Sequence, residues 1–281
     1  MIQPADRRVG WKLRATIATL AIFAGLTHAG CGVPGLSSDD SAQTIAVIDI
    51  SGSTIRDRRR TVDCESEIAF SSPRVPNILC WLSNSLDPST VKSQAVSVLL
   101  ADGRTYSEPD WPVDAFNLQA TADYEARSKA AASVADREEV QDKMASDATT
   151  QIVSEIKKSA QSQGKGGSDL SATMLVIGRR VNTLDGPVAV KMFTDGGANV
   201  AELKSLLHGK TSPAAAERRI DKILDRLEHN NELPNLTNSK GEPVTFEFTG
   251  LGYRARDRNA PAFLQDFWTS YVERSGGRVE Q

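Results

Sequence analysis

The sequence predicts an α/β domain of three layers, a Rossmann-like arrangement in which a mainly parallel central sheet carries helices on both faces. Three observations predict it. Four short apolar runs, Thr44 to Ile50, Ala95 to Leu100, Pro187 to Phe193 and Val244 to Phe248, are near-continuous rather than alternating, as strands buried on both faces are. Helical patterns separate most of them, which implies crossover connections and parallel pairing. Two of the runs end in polar clusters, Asp49-Ile-Ser51-Gly-Ser53 and Thr194-Asp195-Gly196, and open parallel sheets bind ligands beyond the carboxyl ends of their strands.

Composition sets the bounds. At 281 residues, 40% hydrophobic and 25% charged, the chain has ordinary globular composition and is long enough for one good-sized domain. The balance of 33 basic against 36 acidic residues gives a net charge of -3, which argues against a nucleic-acid partner. Only three His occur, far apart, so a His-rich transition-metal centre is not expected.

The N-terminus reads as a processing signal. Arg7, Arg8, Lys12 and Arg14 precede an apolar run from Ala15 to Leu26 that is too short to span a bilayer comfortably. Ala29-Gly30-Cys31 resembles the end of a bacterial lipobox, with His28 where that motif prefers Leu. Residues 1–30 are therefore expected to be a lipoprotein-type signal peptide with lipid on Cys31, the alternative being simple cleavage near Ala29. Residues 31–43, rich in Gly, Ser and Asp, form a tether. Export leaves Cys64 and Cys80 as an even pair in an oxidising compartment, expected as a disulfide or, alternatively, as two buried thiols. The expected location is the outer face of the cytoplasmic membrane or the cell envelope.

The domain is read over 44–275. After the first strand, Thr54 to Arg60 starts a helix, and Cys64 to Asn84, with Pro73 and Pro76, is a broken helix or a pinned loop. Pro88 to Gln94 reads as a connector and Ala101-Asp-Gly-Arg104 as a turn of hairpin character, followed by a short third strand near Tyr106 that ends before Pro109. From about 114 to 163 the composition turns to Ala and charged residues. Val140, Met144, Ala148, Ile152 and Ile156 mark one face of an amphipathic helix. This helical insertion either binds a partner or covers the sheet, and cover is the favoured reading. Ser168 or Asp169 caps a helix running to Val181. Helices follow over 198–207 and 213–230, the latter with Ile220, Ile223, Leu224 and Leu227 on one face. A last helix from Pro261 to Arg274 carries Phe263, Phe267, Trp268 and Tyr271, with the two latter as core anchors.

Asp49, Ser51 and Ser53 stand at alternate positions, so in an extended chain their oxygens converge. Hard oxygen donors of this kind suit Mg, Mn or Ca. If the strands ending at Asp49 and Phe193 are neighbours, Thr194-Asp195 joins them, and the loop containing Ser168 can close over the same spot.

This set of motifs resembles the von Willebrand factor type A domain with its metal-ion-dependent adhesion site. That family carries Asp-x-Ser-x-Ser after the first strand, here Asp49, Ser51 and Ser53; a Thr in a middle loop, here Ser168; and an Asp after a later strand, here Asp195. The resemblance implies that the Ser51, Ser53 and Ser168 hydroxyls hold a divalent cation, magnesium first, with manganese or calcium as alternatives. Asp49 and Asp195 then act largely through coordinated waters. It further implies a protein or envelope ligand that offers an acidic group, membrane association through the lipid anchor, and no catalysis. Two alternatives stay open: a metal-dependent phosphatase using Asp49, although Ser51 stands where such enzymes place a second Asp, and a structural envelope lipoprotein with a degenerate metal site.

Overall fold

The computed structural model describes residues 41–51, 86–162, 167–197, 203, 212–252 and 258–280, all within one compact unit, Gly35–Gln281. Among these residues the strands are β1 (Gln43–Asp49), β2 (Ala95–Ala101), β3 (Asp110–Phe116), β4 (Val188–Phe193), β5 (Thr245–Thr249) and β6 (Arg278–Val279). The helices are α1 (Pro88–Ser93), α2 (Ala122–Ala130), α3 (Val134–Ser162), α4 (Leu170–Val181), α5 (Pro213–His229) and α6 (Ala260–Arg274), with one 3-10 turn at Leu118–Ala120.

The sheet order is β3-β2-β1-β4-β5-β6. All pairs are parallel except β2 with β3. The order runs one way from β1 to β3 and the other way from β4 to β6, so it reverses between β1 and β4. That is the place where an open α/β sheet leaves a crevice at its carboxyl edge. The α/β prediction therefore holds, and with it a three-layer architecture.

Strand pleating divides the core in two. Ile45 and Val47 of β1, Val190 and Met192 of β4 and Phe246 of β5 point to one face and pack against Leu170, Met174 and Ile177 of α4, Ile220 and Leu224 of α5, and Phe267 and Trp268 of α6. Ala46 and Ile48, one residue out of step, point to the other face with Val96 and Val98. There they meet Val91 of α1 and Ala145, Ala148, Ile152 and Ile156 of α3. The apolar stripe of α3 thus covers the sheet, as the favoured reading had it. Trp268 and Tyr271 are core residues, their rings meeting edge-on at 5.3 Å.

The structure corrects three local expectations. Residues 88–93 are a helix, not a connector: Asp87 caps it by accepting from the Thr90 N–H at 2.7 Å, and Pro88 sits in its first turn. The third strand is Asp110–Phe116, beyond Pro109, and Tyr106 lies in the turn before it. Its pairing with β2 slips twice, and Ala115 takes a φ of 46° while donating its N–H to the buried Ser97 hydroxyl at 2.9 Å. An edge strand interrupted by Pro112, Asp114 and bulges shows no alternation to detect. Of the two cap candidates read from the sequence, Asp169 caps α4, accepting from the Ala172 N–H at 3.0 Å, as that reading allowed. Finally, the sheet continues past residue 275, because Arg278–Val279 pairs with β5.

The signal peptide, residues 31–40 of the expected tether with Cys31, Ser53, residues 54–84 with the Cys64 and Cys80 pair, and most of 198–207 lie outside the described residues, whereas Gln43, read as the end of the tether, already belongs to β1. Among the described residues no helix is long and apolar enough to cross a membrane.

Candidate functional site

Parallel pairing of β1 with β4 places Ile48 beside Phe193, so the next residues, Asp49 and Thr194, leave the sheet side by side at the reversal point. Asp49 is fully buried. Its Oδ1 accepts the Ser51 backbone N–H at 2.9 Å, and its Oδ2 accepts the Thr194 hydroxyl at 2.8 Å and the Ser168 hydroxyl at 3.1 Å. One carboxylate thus gathers three segments that are 119 and 145 residues away from it or adjacent in sequence. Of the residues selected from the sequence, Asp49, Ser51 and Ser168 meet directly, and Asp195 lies close enough to act on Asp49 electrostatically.

Ser51 arrives by a different route from the one alternation suggests. The strand ends at Asp49 and the chain bends at Ser51, so a turn, closed by the Ser51 N–H on the Asp49 carboxylate, folds the segment back. Thr194 was grouped with the last motif in the sequence but not counted among the ligands, and the structure gives it a central part. Its buried hydroxyl donates to Asp49 and accepts the Gly196 N–H at 3.0 Å. The signal available was its place as the first residue beyond an apolar strand.

The loop after β4 is held from three sides. Thr194 N–H donates to the Thr249 carbonyl at 3.0 Å, extending the ladder to β5, and Gly252 N–H donates to the Asp195 carbonyl at 2.9 Å. The Trp268 indole N–H reaches the Gly196 carbonyl at 3.3 Å. Asp195 Oδ1 accepts the Gly197 N–H at 2.9 Å, which turns the carboxylate back over its own loop.

Two carboxylates in a closed corner repel. Burial is the largest influence on Asp49 and pushes its pKa above the usual carboxylate range; the Asp195 charge adds to this, and hydrogen bonds from Ser51 and Thr194 pull the other way. Among the described residues neither carboxylate has an ion-pair partner. Among the described residues the group therefore offers hard oxygens with no paired cation, which is the donor chemistry of Mg, Mn and Ca. No set of three or more His, Cys, Asp and Glu able to hold a metal occurs among the described residues. A cation here would rely on the hydroxyls of Ser51, Ser168 and Thr194 as well as on the two carboxylates. The residues present fit such an ion.

No family model matches the chain, and no curated protein matches it. Among solved structures it is similar to the crystal structure of an aerotolerance-related membrane protein from Bacteroides fragilis NCTC 9343 with multiple mutations to serines. The identity is 14%, 86% of this chain and 91% of that chain are covered, and the TM-score is 0.38. A likeness at that level adds nothing about function, and the α/β assignment rests on the sheet itself.

Proposed function

We propose that this chain is an exported domain of the von Willebrand factor type A kind, lipid-anchored through Cys31. It binds a divalent cation, magnesium first, with Asp49, Ser51, Ser53, Ser168 and Asp195, and through that ion an acidic group of a protein or envelope ligand. The observation that carries this reading is the meeting of Asp49, Ser168 and Thr194 at the reversal point of the sheet, with Asp195 beside them and no cation paired to either carboxylate among the described residues.

The chemistry follows from which oxygens would touch the ion. Neutral hydroxyls donate little charge, so an ion held mostly by Ser and Thr stays electrophilic and takes an acidic side chain from outside to complete its shell. Asp49, fixed by three donors, orients those hydroxyls in turn, much as outer carboxylates orient metal ligands elsewhere. Ser51 stands where a phosphatase of this sheet class would place its second Asp, the acid of that reaction, which is why binding is favoured over turnover.

The test is capture of envelope components by the purified chain in Mg, in EDTA, and with Asp49→Asn in Mg. Retention only by wild type in Mg is expected. Retention indifferent to chelator and to Asp49→Asn would leave no role for the ion. Metal-dependent hydrolysis of a generic phosphomonoester that vanishes in Asp49→Asn would replace the binding reading with the phosphatase alternative.

A further inference from the structure

Ser168 sits on a loop that has no ladder of its own, 119 residues away from the carboxylate it serves. Something else must hold it. The β2–β3 turn lies against it: the Asp102 carbonyl accepts the Asp169 N–H at 3.5 Å, and a Cβ at Gly103 would stand 3.0 Å from the Gly167 carbonyl oxygen. The turn therefore brackets Ser168 on both sides, touching residue 167 and residue 169.

That turn is stiff. Asp102 is buried, and its Oδ1 accepts the Arg104 N–H at 2.7 Å. The Thr105 hydroxyl, also buried, accepts the Asp102 N–H at 2.7 Å. The base of the turn is anchored to the same strand edge as the site, since Asp49 pairs with Ala101 and the Ile50 N–H donates to the Ala101 carbonyl at 3.0 Å. One rigid piece thus runs from the β1 end that carries Asp49, across β2, to the loop that carries Ser168.

We infer that the Asp102–Thr105 turn is a brace that sets the distance between Ser168 and Asp49, and that Gly103, by lacking a side chain, lets the brace close far enough to suit a small cation. Gly103 is a positioning residue in this account, and the inference rests on the cation reading above. A methyl group at Gly103 pushes the Gly167 carbonyl away by a few tenths of an ångström and carries Ser168 with it. Mg demands oxygens at about 2.0–2.1 Å in a strict octahedron, whereas Ca accepts about 2.3–2.6 Å and irregular shells. A slightly widened site therefore discriminates between them.

The experiment compares wild type and Gly103→Ala as full chains, titrated separately with MgCl2 and CaCl2, with amide exchange followed by NMR in EDTA. Gly103→Ala is expected to lower Mg affinity by about tenfold, the range seen when groups that orient metal ligands are altered, to lower Ca affinity less, and to speed exchange of the Asp169 amide without cation. Equal losses for the two ions, an unchanged Mg affinity, or unchanged Asp169 exchange would each overturn the brace. If wild type takes neither ion, nor MnCl2 in a parallel titration, the cation reading fails first and the brace with it; if it takes Mn alone, the brace fails and the cation reading stands. If wild type binds and only the variant's behaviour departs from expectation, the brace alone fails.

Discussion

Replacing Asp49 separates the two things its carboxylate does. Asp49→Ala removes the acceptor for the Ser51 N–H, the Thr194 hydroxyl and the Ser168 hydroxyl. The hydroxyls can turn to other acceptors, but the backbone N–H cannot, so one buried donor goes unmet, a loss of about 1–3 kcal/mol. For a domain of this size that is a fall of roughly 2–12 °C in Tm. Asp49→Asn keeps an oxygen for the Ser51 N–H and offers N–H groups to hydroxyls that can accept. It also removes the charge that burial and Asp195 disfavour. In EDTA at neutral pH its Tm is therefore expected to equal or exceed that of wild type. The pH dependence follows the same sign: the folded pKa of Asp49 is raised above its ordinary 3.8, so the native state holds this proton more tightly than the unfolded chain. Wild-type stability from this group accordingly falls as pH rises through the window above 3.8. Asp49→Asn does not titrate and gains on wild type across it. Adding Mg at about a hundred times its Kd stabilises wild type by about 2.7 kcal/mol, or about 5–10 °C, and leaves both variants unmoved. Differential scanning fluorimetry with and without EDTA reads all of this. If Asp49→Asn falls as far as Asp49→Ala in EDTA, or keeps a Mg-dependent shift, the account of this carboxylate is wrong.

Thr194→Val keeps the shape but strips the hydroxyl that joins Asp49 Oδ2 to the Gly196 N–H, and urea denaturation should show a loss of about 1–3 kcal/mol; an unchanged midpoint would deny Thr194 its bridging part. Gly252→Ala forces a side chain onto a φ of +74° with its Cβ 2.7 Å from Pro261 Cα, for a loss of at least about 1–3 kcal/mol from the backbone alone. Because Gly252 N–H anchors the Asp195 carbonyl, Mg binding should weaken too, and a stable variant with unaltered binding would contradict this anchoring. Cys31→Ala should release the chain from membranes on fractionation; a variant that stays membrane-bound like wild type would remove the lipid anchor from the account.

The sequence made the inner strands and the covering helices legible for one physical reason: full burial demands unbroken apolar runs and a 3.6-residue stripe. The stripe through Ala148, Ile152 and Ile156 is both the sequence signal and the packed surface. The site was legible where its residues stand at the ends of such runs, as Asp49 and Asp195 do. What depended on long-range geometry was hidden. β3 carries Pro112, Asp114 and two register slips, and β6 has only two residues, so neither makes a pattern. The bend that brings in Ser51, the bridging hydroxyl of Thr194 and the turn that touches residues 167 and 169 are set by neighbours across the sheet, not by local spacing. The short helix at 88–93 did have its signal, an Asp cap followed by Pro at the first position, and only its length disguised it.

The most direct test of the central claim is isothermal titration of MgCl2, MnCl2 and CaCl2 into the purified full chain, repeated with Asp49→Ala. The cation reading predicts saturable binding of at least one of the three ions at one site per chain, abolished by the substitution. No binding of any of the three by wild type, or binding by Asp49→Ala equal to that of wild type, would contradict it.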